Sequence, residues 1–292
     1  QALPNSPHAV SVALPRWEDV IGYEEKNPSV INTLRAVYPR FGLNPLVLEV
    51  AQRAHKPTDW DDCSAWPYPN ITTAEKAQNH CNRAANNGKT IISEVLGLQC
   101  LIADSKATPA AKAFWQHTGL GASSRLAAIA LTQEKAPLPN AGADARTALR
   151  QRLAEIYCCS SESIEIHPSG MAALTRALEA ISKLQPKRAS LQLGFPYVDV
   201  LKLPQIIFEG SDLVLEGGPT EIAAELDQKK PSAVIIELPS NPMLQCMDLP
   251  TISKLAHDRG ILVIADDTIG SAVNINALPY ADLIFSSLTK SF

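Results

Sequence analysis

Near the carboxyl end of the sequence, Ser286-Ser287-Leu288-Thr289-Lys290 sets one amine among hydroxyls, directly after the apolar run Leu283-Ile284-Phe285. Small hydroxyl donors beside a single amine suit a cofactor carrying both an aldehyde and a phosphate: the amine captures the aldehyde and the hydroxyls donate to the phosphate. Alone, a lysine at a strand tip is a solvated rim charge. The company of Lys290 reverses that reading. Upstream, Gly260-Ile261-Leu262-Val263-Ile264-Ala265 reads as a buried parallel strand ending in Asp266-Asp267-Thr268, at the carboxyl edge where open α/β sheets bind ligands. An acid there can hold the pyridine nitrogen of pyridoxal phosphate protonated, making the ring an electron sink, while Lys290 holds the aldehyde.

Three more segments point to the same edge. Ser169-Gly170-Met171 opens a helix, whose free N–H groups attract an anion and whose glycine permits close approach by a phosphate; by itself it is equally a serine cap with a turn glycine. In Glu237-Leu238-Pro239-Ser240-Asn241-Pro242, Asn241 lies just past a buried strand and is held by prolines, placed either to bond the cofactor's ring oxygen or to make an Asx turn. Phe195, in Leu193-Gly194-Phe195-Pro196-Tyr197, is suited to stacking on a flat ring or to core packing. His117 and His167 have no second His or Cys at ligand spacing and read as structural, so no metal site is expected. The sequence contains no GxGxxG, GxxxxGK[ST] or GxSxG motif, which removes the direct pointers to dinucleotide binding, nucleotide hydrolysis and α/β-hydrolase chemistry.

The elements that must carry these residues are legible mainly beyond Asp144. A helix is expected over 144–156, a short strand at Ile164-Glu165-Ile166, and a helix after Gly170 whose core face is Met171, Leu174, Leu178 and Ile181. Further strands are expected over 189–193, 233–238, 261–265 and 282–285, with helical stretches such as 249–258 between them. That alternation predicts a mainly parallel sheet with helices on both faces. The front is less regular. A helix is expected over 72–86 with Thr73 as its cap, 90–103 reads as strand or buried helix, and 136–142 reads as a connector.

At 292 residues, 46% hydrophobic and 19% charged, the composition is that of a globular protein with room for a sizeable core. A net charge of -4 without long Lys/Arg runs gives no footprint for nucleic acid or an anionic membrane surface. No apolar run is long enough to span a bilayer, and Gln1-Ala2-Leu3-Pro4 reads as a trimmed start, so a cytoplasmic protein is expected. The six cysteines show no metal or redox spacing and read as reduced structural thiols.

Together these motifs resemble the cystathionine γ-synthase family of fold-type-I pyridoxal-phosphate enzymes, in particular its fungal branch. Ser169 to Ala173, Glu237 to Pro242, Asp266 to Gly270 and Ser286 to Lys290 are similar to that branch's motifs, in its order. So are Pro15-Arg16-Trp17, Gly22-Tyr23-Glu24-Glu25, Tyr38-Pro39-Arg40-Phe41 and Phe114 to Gly119 at the front. The resemblance implies the α/β, three-layer, mainly parallel sheet of the aspartate aminotransferase-like large domain over 144–292, a mixed amino-terminal extension over 1–110, and an arm over 111–143 toward a neighbouring subunit. It also implies that a smaller carboxyl-terminal domain, with the arginine that holds the substrate carboxylate, belongs beyond Phe292.

By the same resemblance, Lys290 tethers pyridoxal 5'-phosphate and moves protons, and Asp266 pairs with the pyridine nitrogen. Gly170, Met171, Ser287 and Thr289 hold the phosphate, Thr268 and Asn241 brace the ring, and Phe195 stacks where relatives use Tyr. Ser124-Arg125 stands near where relatives place a Tyr and an Arg that reach the neighbouring subunit's phosphate; Arg125 matches the arginine, and the Tyr is missing. The implied activity is γ-substitution on an O-acyl-homoserine in a homodimer or homotetramer with shared active sites, with cysteine giving cystathionine. Alternatives are a carbon or other nucleophile in a specialised pathway, elimination without replacement, and an inactive scaffold.

Overall fold

The computed structural model describes residues 5–10, 14, 16–34, 41–55, 57, 59–60, 62–133, 142–185, 189–208 and 210–290. The Tyr38-Pro39-Arg40 part of one front motif and most of the 136–142 connector lie outside them. Two units form, Gln1–Gln116 with Leu120–Ala136, and His117–Gly119 with Pro137–Phe292.

In the first unit the chain runs through α1 (Trp17–Glu24), α2 (Pro28–Ile31), α3 (Pro45–Gln52), β1 (Ser64–Tyr68), α4 (Ile71–Ala84), β2 (Thr90–Val95), β3 (Leu98–Ala103), α5 (Thr108–Thr118) and α6 (Ser124–Thr132). Helix α4 is capped by Asn70 and not by Thr73: Asn70 Oδ1 accepts the Thr73 N–H at 3.0 Å, so the helix starts earlier than expected. The segment from Thr90 to Ala103, open between strand and helix, is a hairpin, because Leu96 and Gly97 both take positive φ, 52° and 80°, and turn the chain back on itself. The three strands pair antiparallel in the order β1-β3-β2. Val47 and Val50 of α3 pack with Ala65, Leu98, Ile102 and Ala127.

The second unit holds α7 (Ala143–Tyr157), a 3-10 turn (Ser161–Ser163), α8 (Gly170–Leu184), β4 (Ser190–Leu193), α9 (Val198–Lys202), α10 (Pro204–Ile207), β5 (Ser211–Val214), α11 (Pro219–Lys229), β6 (Ala233–Glu237), α12 (Leu249–His257), β7 (Leu262–Asp266), α13 (Ser271–Asn274) and β8 (Leu283–Phe285). The five strands are all parallel, in the order β5-β4-β6-β7-β8.

Strand alternation makes the three layers. Val234 and Ile236 of β6 face a core with Ile222 and Leu226 of α11 and Ile252 of α12, whereas Ala233 and Ile235 face Met171, Leu174 and Leu178 of α8 and Val200 of α9. The expected α8 core face, Met171, Leu174, Leu178 and Ile181, is buried throughout. Ile164 to Ile166 is not a strand. It follows the 3-10 turn half-exposed, with Glu165 bonded to Arg150 at 2.8 Å, and no neighbouring strand supplies a ladder.

Candidate functional site

The carboxyl ends of β6, β7 and β8 and the amino end of α8 bring several of the singled-out residues together. Ser169 caps α8, its Oγ accepting the Ala172 N–H at 3.1 Å, so the next N–H groups of the helix remain directed outward. Gly170 is pressed against the loop after β8: a Cβ there would sit 3.0 Å from Ser287 Cβ and 3.2 Å from Ser287 Cα. A side chain there would press on the Ser287 backbone, which would have to give by a few tenths of an ångström. Ser287 in turn donates its N–H to Thr268 Oγ1 at 3.0 Å, and its own Oγ is 3.0 Å from Thr289 Oγ1. The helix end and the hydroxyls of Ser287 and Thr289 thus form one cluster of donors, the kind of surface that holds a phosphate, while the Thr268 hydroxyl accepts from Ser287 and donates to Asp266. Lys290 closes the turn with its N–H on Ser287 O at 3.2 Å, and its side chain is exposed.

Beside this cluster lies a group of buried acids. Asp266, 3% exposed, accepts the Thr268 N–H at 3.0 Å. Burial pushes its carboxyl up to about 6, the neighbouring Asp267 adding to the rise and the Thr268 hydrogen bonds opposing it. A cationic ring N–H at Asp266 would restore the carboxylate. Glu237 stands opposite Asp266 in the β6–β7 register and is likewise buried. Burial first and the Asp266 charge second push it up to about 7.

Glu237 was not assigned a role from sequence, yet it ties two candidate segments to the sheet. Its Oε2 accepts the Tyr197 N–H at 2.7 Å, and the Asn241 backbone N–H also bonds its carboxyl. The signal that could have found it is an acid ending an otherwise apolar strand. Asp267 is a second omission: fully buried, it accepts the Tyr157 hydroxyl at 2.8 Å, and burial with that carboxylate pushes the phenol up.

Phe195 is 43% exposed and therefore does not pack in the core. Asn241 is exposed, and the turn that contains it is closed by Ser240, which accepts the Leu244 N–H on its carbonyl at 2.8 Å and the Gln245 N–H on its Oγ at 3.1 Å. Met171 is buried, its side chain in the core and its backbone in the first turn of α8. Arg125 lies in the first unit, exposed in the first turn of α6. His117 is paired with Asp199 and His167 is partly buried with its imidazole pKa lowered by that burial.

The family model described as Cys/Met metabolism PLP-dependent enzyme matches residues 103–292. The L-2-amino-4-chloropent-4-enoate dechlorinase/desaturase of Streptantibioticus cattleyicolor is 29% identical over 304 residues, covering 99% of this chain and 60% of its own length. A cystathionine gamma-synthase-like enzyme of Amanita muscaria is 26% identical over 385 residues, covering 99% of this chain and 63% of its own. The crystal structure of cystathionine gamma synthase from Xanthomonas oryzae pv. oryzae in complex with aminoacrylate and cysteine is 28% identical, with a TM-score of 0.42 and coverage of 48% of this chain and 36% of that one. This chain thus spans 60–63% of the length of those two curated relatives.

Proposed function

Because the chain belongs to the Cys/Met metabolism PLP-dependent enzymes, we propose that it replaces the acyloxy group of an O-acyl-homoserine with a nucleophile, cysteine's thiol giving cystathionine. Pyridoxal phosphate, when bound, supplies an electron sink for charge that develops at the amino acid's α carbon. The Lys290 amine tethers the cofactor at rest, then takes the α proton and passes protons to and from the β carbon. Asp266 holds a proton on the ring nitrogen. The N–H groups of Gly170 and Met171 and the hydroxyls of Ser287 and Thr289 grip the phosphate, Thr268 and Asn241 orient the ring, and Phe195 covers its face and excludes water. Arg125 reaches the phosphate of a neighbouring subunit in a homodimer or homotetramer located in the cytoplasm.

The observation that carries this reading is the contact of Gly170 with Ser287, where a Cβ would come within 3.0 Å. It sets a helix amino terminus against a hydroxyl loop, three residues from Lys290 and bonded through Thr268 to the strand that ends in Asp266. An anion, an aldehyde and a cationic ring nitrogen are the three features such a donor set matches. The site also supports a second reading, γ-substitution with a carbon or other nucleophile in a specialised pathway. A dechlorinase/desaturase among the more similar relatives bears instead on the third reading, elimination without replacement.

Incubating the full-length protein with acetyl- and succinyl-homoserine and a panel of thiols and carbon acids, with mass-spectrometric product analysis, separates the readings. Cystathionine is the expected product. A carbon–carbon product moves the assignment to the second reading, release of an unsubstituted keto acid marks elimination, and no consumption of either ester contradicts both substitution readings.

A further inference from the structure

The tripeptide His117-Thr118-Gly119 belongs to the second unit, although the residues on both sides of it in sequence belong to the first. Each of its residues holds a different part of the candidate site's support. The Nδ1 of His117 lies 2.7 Å from Asp199 Oδ1, with both residues buried. A carboxylate oxygen only accepts, so Nδ1 carries the hydrogen. Asp199 stands in the first turn of α9, two residues beyond Tyr197, whose N–H is bonded to Glu237. Thr118 offers its carbonyl to Thr175 Oγ1 of α8 at 2.9 Å, inside the same buried region.

Gly119 meets the amino end of α8 itself. It takes a positive φ of 65°, and a Cβ there would lie 2.6 Å from Ser169 Oγ, the cap oxygen, and 3.1 Å from Ala172 N, the group that oxygen accepts from. The glycine is therefore required twice, for its backbone conformation and for its missing side chain. Along the chain, three consecutive residues fix the start of α8 and the start of α9, the two elements that flank the phosphate cluster and the Phe195 segment.

We propose that His117-Thr118-Gly119 is a clip that sets the amino end of α8 for the cofactor's phosphate through Gly119, while the His117–Asp199 pair fixes the start of α9 beside the Phe195 segment. The clip rests on the functional reading above, in which α8 receives that phosphate. A side chain at Gly119 weakens the grip on the phosphate more than the grip on the pyridine ring, because its close contacts are Ser169 Oγ and Ala172 N at the start of α8.

Equilibrium titration of the full-length apoprotein with pyridoxal phosphate and, separately, with pyridoxal, which lacks the phosphate, tests it. Gly119→Ala is expected to weaken pyridoxal phosphate binding about tenfold and pyridoxal binding less than about twofold, whereas His117→Ala weakens both ligands. His117→Asn, whose amide nitrogen can stand in for Nδ1, is expected to restore both affinities. If His117→Ala fails to fold, Gly119→Ala alone decides, because it leaves the buried His117–Asp199 pair intact. Equal weakening of both ligands, or no weakening of either, in Gly119→Ala overturns the clip. Failure of the wild-type protein to bind pyridoxal phosphate overturns the functional reading and the clip with it.

Discussion

The two sheets of the molecule bury different chemistry. Among the described residues the buried acids, Asp199, Glu237, Asp266 and Asp267, all belong to the second unit. In the first unit the antiparallel sheet buries Cys100, Leu101 and Ile102 along β3, and burial pushes the Cys81 thiol up to about 11 and the Cys100 thiol up to about 12, which keeps them protonated and inert. Both sheets are packed as cores, but only the parallel one keeps carboxyl groups out of water at its carboxyl edge. Burying a carboxyl costs stability unless something compensates, so such a cluster marks a place selected for a task other than folding. The contrast teaches that the proposed site coincides with the part of the fold that is locally least economical.

The sharpest way to break the contrast is at Lys290. Lys290→Ala is expected to lower turnover by about 10³-fold or more, the scale on which loss of an essential nucleophile acts, with the fold retained. Steady-state kinetics with circular dichroism checks both halves, and wild-type turnover would end the assigned role.

Next comes Asp266. Its folded-state pKa is raised from 3.8 to about 6, so between those values the folded apoprotein binds more protons than the unfolded chain. Stability from this group is therefore fullest below the unfolded pKa and is lost as pH rises through about 6, a penalty of about 3 kcal/mol once the group is ionised. Asp266→Asn should flatten that decline, seen by urea unfolding of wild-type and variant apoprotein at about pH 5 and about pH 8. The same variant should lose turnover by about a hundredfold or more, as expected for a displaced proton at a reacting ring. Parallel pH–stability curves would show that the acid is not paying this cost.

A smaller effect is expected at Glu237. Leucine there leaves the Tyr197 N–H without its acceptor and should cost about 1–3 kcal/mol, whereas Gln keeps an acceptor and should cost less than about 1. Equal losses in thermal unfolding would contradict the bridging role. The smallest effect lies in the first unit. The Tyr68 hydroxyl is buried without a hydrogen-bond partner among the described residues, so Tyr68→Phe should leave stability within about 1 kcal/mol and turnover unchanged; a large change in turnover would erase the contrast between the sheets.

Much of the parallel sheet was legible because its strands are continuous apolar runs and its helices keep a clean period, as Met171, Leu174, Leu178 and Ile181 show. Strand β5 was missed: Ser211-Asp212-Leu213-Val214 is a half-exposed edge strand, polar at its start, and lacks the run that marks its neighbours. The hairpin β2–β3 stayed ambiguous because Leu96 carries the positive φ beside Gly97, and a leucine in that conformation gives no turn signal. At the site, Asp266 could be picked out because it ends an apolar strand, and Lys290 because it follows another among hydroxyls. Glu237 ends one too but has no cofactor atom to name, and its work is visible only when the Tyr197 N–H, forty positions away in sequence, is seen on its carboxyl. The hold of Gly119 on Ser169 was beyond reach for the same reason, since it depends on contacts between distant segments.

The central claim is that Lys290 is the residue to which the cofactor's aldehyde attaches. Loading the full-length protein with pyridoxal phosphate, reducing with borohydride and mapping the labelled peptide by mass spectrometry tests it most directly. The label is predicted on Lys290; a label on any other lysine, or none, would contradict the account.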